Sequence, residues 1–201
     1  KRINNSIFDF PIISANEKYL KQIKFHLKKN KFRKYKLVLE PFKKNTGPAI
    51  LAATLSTLQF NKLDQPLLFL SSDHLIEKVS NFYKELKRNT SRLNHDNIFI
   101  FGAKPSFPST EYGYFFVKKK KKNLKVTKFI EKPNSLTATK IVKQKAFWNT
   151  GMFFTNSQSI INNFIKYNPK IFWSTLKAIS KKINKKDKNI IHINKKLFKK
   201  I

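Results

Sequence analysis

The chain has 201 residues, 40% of them hydrophobic, no cysteine and a formal charge of +32 at neutral pH. That length holds one domain with its own core, or part of a larger one. The lack of cysteine excludes disulfides and thiol catalysis and fits a cytoplasmic protein, while no apolar run approaches the roughly 18 residues a membrane span needs.

The basic excess invites a nucleic-acid reading, but only four of the 43 basic residues are Arg. Lysine cannot supply the bidentate and stacked contacts on which base readers rely. The Lys residues are also spread along the chain among Asn, Ile and Phe, which looks like compositional drift rather than one patch. Specific nucleic-acid recognition is therefore not expected, although non-specific binding at low salt is. The first residue is Lys, so the sequence reads as an internal piece of a longer protein.

In chain order, Phe10–Ser14 reads as a short strand and Ala15–Asn30 as an amphipathic helix, with Tyr19, Leu20, Ile23 and Leu27 at helical spacing. Lys36–Leu39 is the next strand and stops at Glu40-Pro41. The loop Phe42–Pro48 carries a helix start: Thr46 or Gly47 can cap, and Pro48 suits the first helical position. The following helix, Ala49–Phe60, is apolar on nearly every face and should be buried, its positive end facing whatever the loop binds.

Leu67–Leu70 is a short apolar run bounded by Pro66 and Ser71-Ser72, which predicts a buried strand. Behind it stand Asp73 and His74. An acid at the carboxyl end of a strand in an open α/β sheet is a ligand-site candidate, and a carboxylate suits a hard divalent cation. Asp73 could equally cap a helix whose apolar face is Ile76, Val79, Phe82, Tyr83 and Leu86. On these residues alone both readings stay open.

Asn97–Phe101 predicts a strand ending at Gly102, and two prolines make Lys104–Thr110 a loop. Glu111-Tyr112-Gly113-Tyr114 leads into the strand Phe115–Val117; its Gly signals a bulge or a close ligand. Lys118–Lys122 reads as an exposed hairpin turn kept soluble by repulsion. Lys125–Ile130 alternates as a strand and ends in Glu131-Lys132-Pro133. A helix over Ser135–Lys145, the segment Ala146–Gly151, a strand Met152–Thr155, a helix Asn156–Lys166 and another from near Pro169 follow. Beyond about Ser180 the sequence is Lys/Asn/Ile-rich, loses clear punctuation and is assigned no function.

Strands alternating with helices give an α/β fold with a mostly parallel, mixed sheet. Three strands end in an acid, Glu40, Asp73 and Glu131, in a chain with only 11 acidic residues. A polar cleft along the carboxyl edge of the sheet is the expectation.

Taken together, Glu40-Pro41 through Asn45-Thr46-Gly47-Pro48, Ser72-Asp73-His74, Tyr112-Gly113-Tyr114, Phe129-Ile130-Glu131-Lys132-Pro133 and Trp148-Asn149-Thr150-Gly151 resemble the sugar-nucleotidyltransferases. Among these they are most similar to the mannose-1-phosphate guanylyltransferases, in order and spacing from about residue 10 to 170. The resemblance implies a Rossmann-like nucleotide-diphospho-sugar transferase fold, Mg²⁺ dependence, and transfer of GMP from GTP to mannose 1-phosphate with release of pyrophosphate. It implies that Asp73 ligates the metal and Lys132 neutralises the sugar phosphate. Glu40, Pro41, Lys44, Asn45, Thr46 and Gly47 would border the nucleotide. Gly113, Glu131, Asn149 and Thr150 would hold the sugar phosphate, with His74 orienting the Asp73 turn.

Departures are mild at Gly47 and Thr150, where the family carries Ala and Ser, and sharper at Lys44 and Glu111, where it carries Arg and Gly. A glycine-rich phosphate loop has no counterpart before Phe10, and a second metal-binding Asp would lie beyond Ile201. The chain is thus expected to be the middle of a catalytic domain, cut at both ends and with little activity alone. Residues 1–180 would be the partial catalytic domain and 181–201 a segment of the same domain. The resemblance leaves open another sugar 1-phosphate, a homo-oligomer, or a basic nucleotide- or RNA-binding remnant that kept the fold and lost catalysis.

Overall fold

The computed structural model describes residues 3, 6–58, 64–120, 123–180 and 187–201. Its backbone forms two compact units, Lys1–Leu67 with Ile76–Asn97 and Thr155–Ile201, and Leu68–Leu75 with Ile98–Phe154. Among the described residues no helix is long and apolar enough to cross a membrane.

The first unit is built on a three-stranded parallel sheet. Its middle strand is β2 (Lys36–Glu40), flanked by β1 (Ile12–Asn16) and β8 (Ile190–His192). Leu37, Val38 and Leu39 are wholly buried. They form a near-continuous apolar run, as a central parallel strand covered on both faces requires. Leu27 of helix α1 (Leu20–Lys29) closes one face with Leu37, Leu39 and Ile190. Helix α2 (Thr46–Leu58) packs against α5 (Ser157–Tyr167) and α6 (Pro169–Ser180). The unit also contains α3 (Val79–Thr90) and α7 (Lys195–Phe198).

Centred on the second unit is a five-stranded sheet in the order β3 (Pro66–Phe69), β7 (Phe147–Asn156), β5 (Tyr114–Lys120), β6 (Asn123–Ile130), with β4 (Ile98–Ala103) also paired to β7. The β5–β6 and β5–β7 pairings are antiparallel. Tyr114 packs with Ile141 of α4 (Ser135–Lys143) and Ala146 on one face of this sheet. The α/β fold with both parallel and antiparallel pairing therefore stands.

Several elements differ from the sequence reading. The helix expected from Ala15 begins later, because Asn16 accepts from Lys18 N and turns the chain through a short 3-10 turn at Glu17–Tyr19. Helix α2 starts at Thr46 rather than Ala49, so Thr46 and Gly47 lie inside it; Pro48 is tolerated because first-turn N–H groups have no intrahelical partner. Strand β3 is half-buried at Leu67, Leu68 and Phe69 rather than buried.

Helix α3 starts at Val79 with Lys78 in the capping position. Asp73 is five residues upstream of that position, which removes the capping explanation for it. Trp148–Gly151 belong to β7, since Trp148 pairs with Tyr114. Lys118–Lys120 lie in β5 rather than in a turn; Lys121 and Lys122 fall outside the described residues.

The C-terminal segment, whose sequence lacks clear punctuation, carries regular elements. Residues 187–201 carry β8 and α7, and Ile190, Ile191, Ile193 and Phe198 are buried. Lys36 Nζ donates to the Lys188 carbonyl (3.1 Å) and Asn189 Oδ1 (3.0 Å), and Lys24 pairs with Asp187 (3.1 Å). Apolar burial by three closely spaced isoleucines overrides the polar composition of the surrounding text.

Candidate functional site

Each compact unit brings together one group of the residues singled out by sequence. In the first, Glu40 is the last residue of β2, at the carboxyl end of the parallel sheet. Its side chain is only 8% exposed, and Ser14 Oγ donates to Glu40 Oε1 at 2.6 Å. Burial raises its pKa above the ordinary value of 4.5, and the Ser14 hydrogen bond opposes part of that rise. Register explains the contact: Ser14 lies opposite Val38 in the parallel ladder, within reach of the strand end. Sequence reasoning passed over Ser14, whose only signal was a polar residue following Ile12-Ile13.

Pro41 and Lys44 are half-buried behind Glu40, while Asn45 and Thr46 are exposed at the start of α2. Asn45 adopts φ +62°, a left-handed conformation that Asn tolerates better than most residues. Lys44 Nζ approaches the Lys199 carbonyl at 3.4 Å. Gly47 sits 3.7 Å, measured from an added Cβ, from the Phe164 ring, an ordinary contact. The group is thus a buried acid, a basic side chain and a helix N-terminus, which suits a ligand with N–H donors at one end and phosphate at the other.

In the second unit the register does the assembling. Tyr114 pairs with Ile130 on one side and Trp148 on the other. One residue before Tyr114 and one residue after Ile130 and Trp148, Gly113, Glu131 and Asn149 come together on the opposite face, because side chains alternate and the pairings are antiparallel. Asn149 N donates to the Gly113 carbonyl at 2.7 Å. A Cβ on Gly113 would meet Glu131 Oε2 at 2.6 Å and the Phe129 ring at 3.0 Å. The carboxylate therefore occupies space that only glycine leaves open. Asn149 Oδ1 accepts from Gly151 N (3.1 Å), and Gly151 adopts φ +67°.

Thr150 Oγ1 donates to the Phe101 carbonyl (2.8 Å), so its hydroxyl proton is committed to tying β4 to β7. Lys132 is exposed and adopts φ +39°, a strained conformation for a long side chain. Asp73 follows β3 in an exposed turn, with its side chain 83% accessible and its Oδ1 4.0 Å from His74 Nε2. Among the described residues no group of three or more His, Cys, Asp or Glu is close enough to hold a metal. A lone open carboxylate fits Mg²⁺, which commonly takes one or two carboxylates and completes its shell with water and substrate phosphates.

A family model described as Nucleotidyl transferase matches residues 1–200. Mannose-1-phosphate guanylyltransferase from Salmonella montevideo is 32% identical over 180 residues, covering 85% of this chain and 37% of that protein. A mannose-1-phosphate guanylyltransferase from Salmonella typhimurium is 30% identical over 202 residues, covering 98% and 42% respectively. The chain thus spans about two fifths of the length of these curated relatives. Among solved structures, one described as mannose-6-phosphate isomerase from Helicobacter pylori superposes with a TM-score of 0.84 at 25% identity, over 100% of this chain and 78% of that one. A Thermus thermophilus structure described as mannose-1-phosphate geranyltransferase gives 0.72 at 17% identity, over 91% and 58%, and shares the fold.

Proposed function

Because this chain belongs to the nucleotidyl transferase family, we propose that it carries the substrate-binding part of an enzyme that moves GMP from GTP to mannose 1-phosphate. In that reaction a phosphate oxygen of the sugar attacks the α-phosphorus of GTP. A new P–O bond forms, the bond to the β-phosphate breaks, and pyrophosphate leaves with the electron pair. No side chain needs to bond covalently to substrate; catalysis is positioning and charge stabilisation.

The observation that carries the reading is the convergence of Gly113, Glu131 and Asn149 on one sheet face. The Glu131 carboxylate, held over Gly113, accepts from hexose hydroxyls. The Asn149 oxygen already accepts from Gly151, so the two N–H donors of the same amide serve the sugar. Lys132 supplies a point charge for the sugar phosphate. Its left-handed backbone is the kind of local strain that accumulates at binding sites.

At the nucleotide end, Glu40 accepts from the two N–H groups on the guanine edge, a pair adenine does not present. Lys44 and the start of α2 face the phosphates. Asp73 would hold Mg²⁺, which when bound would offset phosphate charge. GTP and sugar phosphates are ionised cytoplasmic metabolites, so the reading puts the reaction there.

Titration of GTP with and without Mg²⁺ tests the proposal. Metal-dependent GTP binding that is lost in Asp73→Ala is the expected result. Salt-sensitive RNA binding that neither GTP nor Mg²⁺ alters would replace it with the reading of a basic remnant without catalysis.

A further inference from the structure

From the geometry around Gly113 we infer that Phe129 is a sugar-binding residue: its ring forms the apolar wall of the hexose site, opposite in character to the Glu131 carboxylate. The inference rests on the proposed sugar phosphate site and adds to it a residue that the motif comparison used only as a neighbour of Glu131.

Phe129 in β6 and Glu131 just past its end stand two residues apart, and both side chains lie over Gly113. The register agrees, with Phe129 opposite Phe115 and Ile130 opposite Tyr114. Both side chains then converge on one bare α-carbon: a Cβ on Gly113 would stand 2.6 Å from Glu131 Oε2 and 3.0 Å from Phe129 Cζ. Asn149, whose N–H binds the Gly113 carbonyl, lies on the same face.

Phe115, its partner across the strands, is 4% exposed, whereas Phe129 is 48% exposed. The sheet therefore buries one ring of the pair and leaves the other half open, beside the acid assigned to the hydroxyls. A pyranose has the matching dual character: hydroxyls around its rim and C–H groups across its faces. Carboxylate and amide bind the first, and an aromatic face takes the second by removing apolar surface from water. Neither Glu131 nor Asn149 can do that, so an aromatic wall adds discrimination for the ring to that supplied by its hydroxyls.

The test compares mannose 1-phosphate with glycerol 3-phosphate, which keeps the phosphate and lacks the ring, by calorimetric titration of the 201-residue chain. Phe129→Ala is expected to weaken mannose 1-phosphate about tenfold, the scale of one lost aromatic contact, and to leave glycerol 3-phosphate unchanged. Phe129→Tyr, which keeps the ring, should bind within about twofold of the parent by the same reasoning. Phe129→Leu preserves packing against Gly113 without an aromatic face and should behave like the Ala variant. Undiminished mannose 1-phosphate binding in Phe129→Ala overturns the inference, as does equal weakening of both ligands, which marks a structural role. A parent chain that binds glycerol 3-phosphate but shows no preference for mannose 1-phosphate overturns the sugar site itself.

Discussion

Replacing Gly113 by Ala probes the candidate sugar site through a single methyl group. The new Cβ would stand 2.6 Å from Glu131 Oε2, against the 3.4 Å at which ordinary contact begins, so the carboxylate must retreat by roughly 0.8 Å; the Phe129 ring must give a few tenths. Glu131 is exposed and its carboxylate ends a flexible chain, so it can swing aside at a stability cost of about 1 kcal/mol or less. Binding does not escape so lightly. A charge-assisted hydrogen bond is worth about 1.5–3 kcal/mol, and losing it lowers affinity roughly ten- to hundredfold. Calorimetric titration of mannose 1-phosphate and of GTP, with a thermal melt beside them, reads all three quantities. The expected pattern is weakened sugar phosphate, unchanged GTP and an almost unchanged melting temperature. Unaltered mannose 1-phosphate affinity in a well-folded Gly113→Ala protein would refute the assignment of the hexose to Glu131.

Other expectations follow from single features. Lys132→Gly relieves a left-handed backbone that costs an L-residue about 1–2 kcal/mol, so thermal stability should hold or rise while mannose 1-phosphate affinity falls at least about tenfold, the worth of one charged contact; a marked drop in stability would contradict this. Glu40→Gln should erode preference for GTP over ATP, and an unchanged ratio in competitive titrations would sink the guanine assignment. Because burial raises the Glu40 pKa, its share of stability is fully present below 4.5 and is lost as pH rises through the folded-state value. Melts across that window should show a decline that is absent in Glu40→Gln. Ile191→Ala, in a strand where the parent side chain is 1% exposed, should cost about 2–4 kcal/mol in chemical denaturation; an effect near zero would mean that β8 contributes little to the core.

The sequence resolves the fold wherever apolar periodicity is unbroken and fails where long-range pairing decides. Leu37-Val38-Leu39 reads as a central strand and is one. Ile190-Ile191 does not, because three residues amid Lys and Asn carry no period, and only the parallel pairing with Leu37–Leu39 makes them a strand. Trp148–Gly151 reads as a connection because Asn and Gly disfavour strands, yet the pairing of Trp148 with Tyr114 carries the strand through them.

The site divides in the same way. As candidates, Glu40, Gly113, Glu131 and Asn149 are legible from residue type at strand ends and from motif order. Ser14 and Phe129 were not, because their significance lies in a register that aligns residues 26 apart in one case and 16 in the other. Asp73 changes standing most: with α3 starting at Val79 it has no helix to cap, and its carboxylate is open to solvent.

The central claim is that the chain holds two different phosphate ligands through two separate groups of residues. Parallel equilibrium titrations of GTP with Mg²⁺ and of mannose 1-phosphate, on the parent chain, Glu40→Gln and Lys132→Ala, test it most directly. The account predicts that both ligands bind the parent, that Glu40→Gln weakens GTP alone, and that Lys132→Ala weakens mannose 1-phosphate alone. Failure of the parent to bind either ligand, or equal loss of both in each variant, would contradict it.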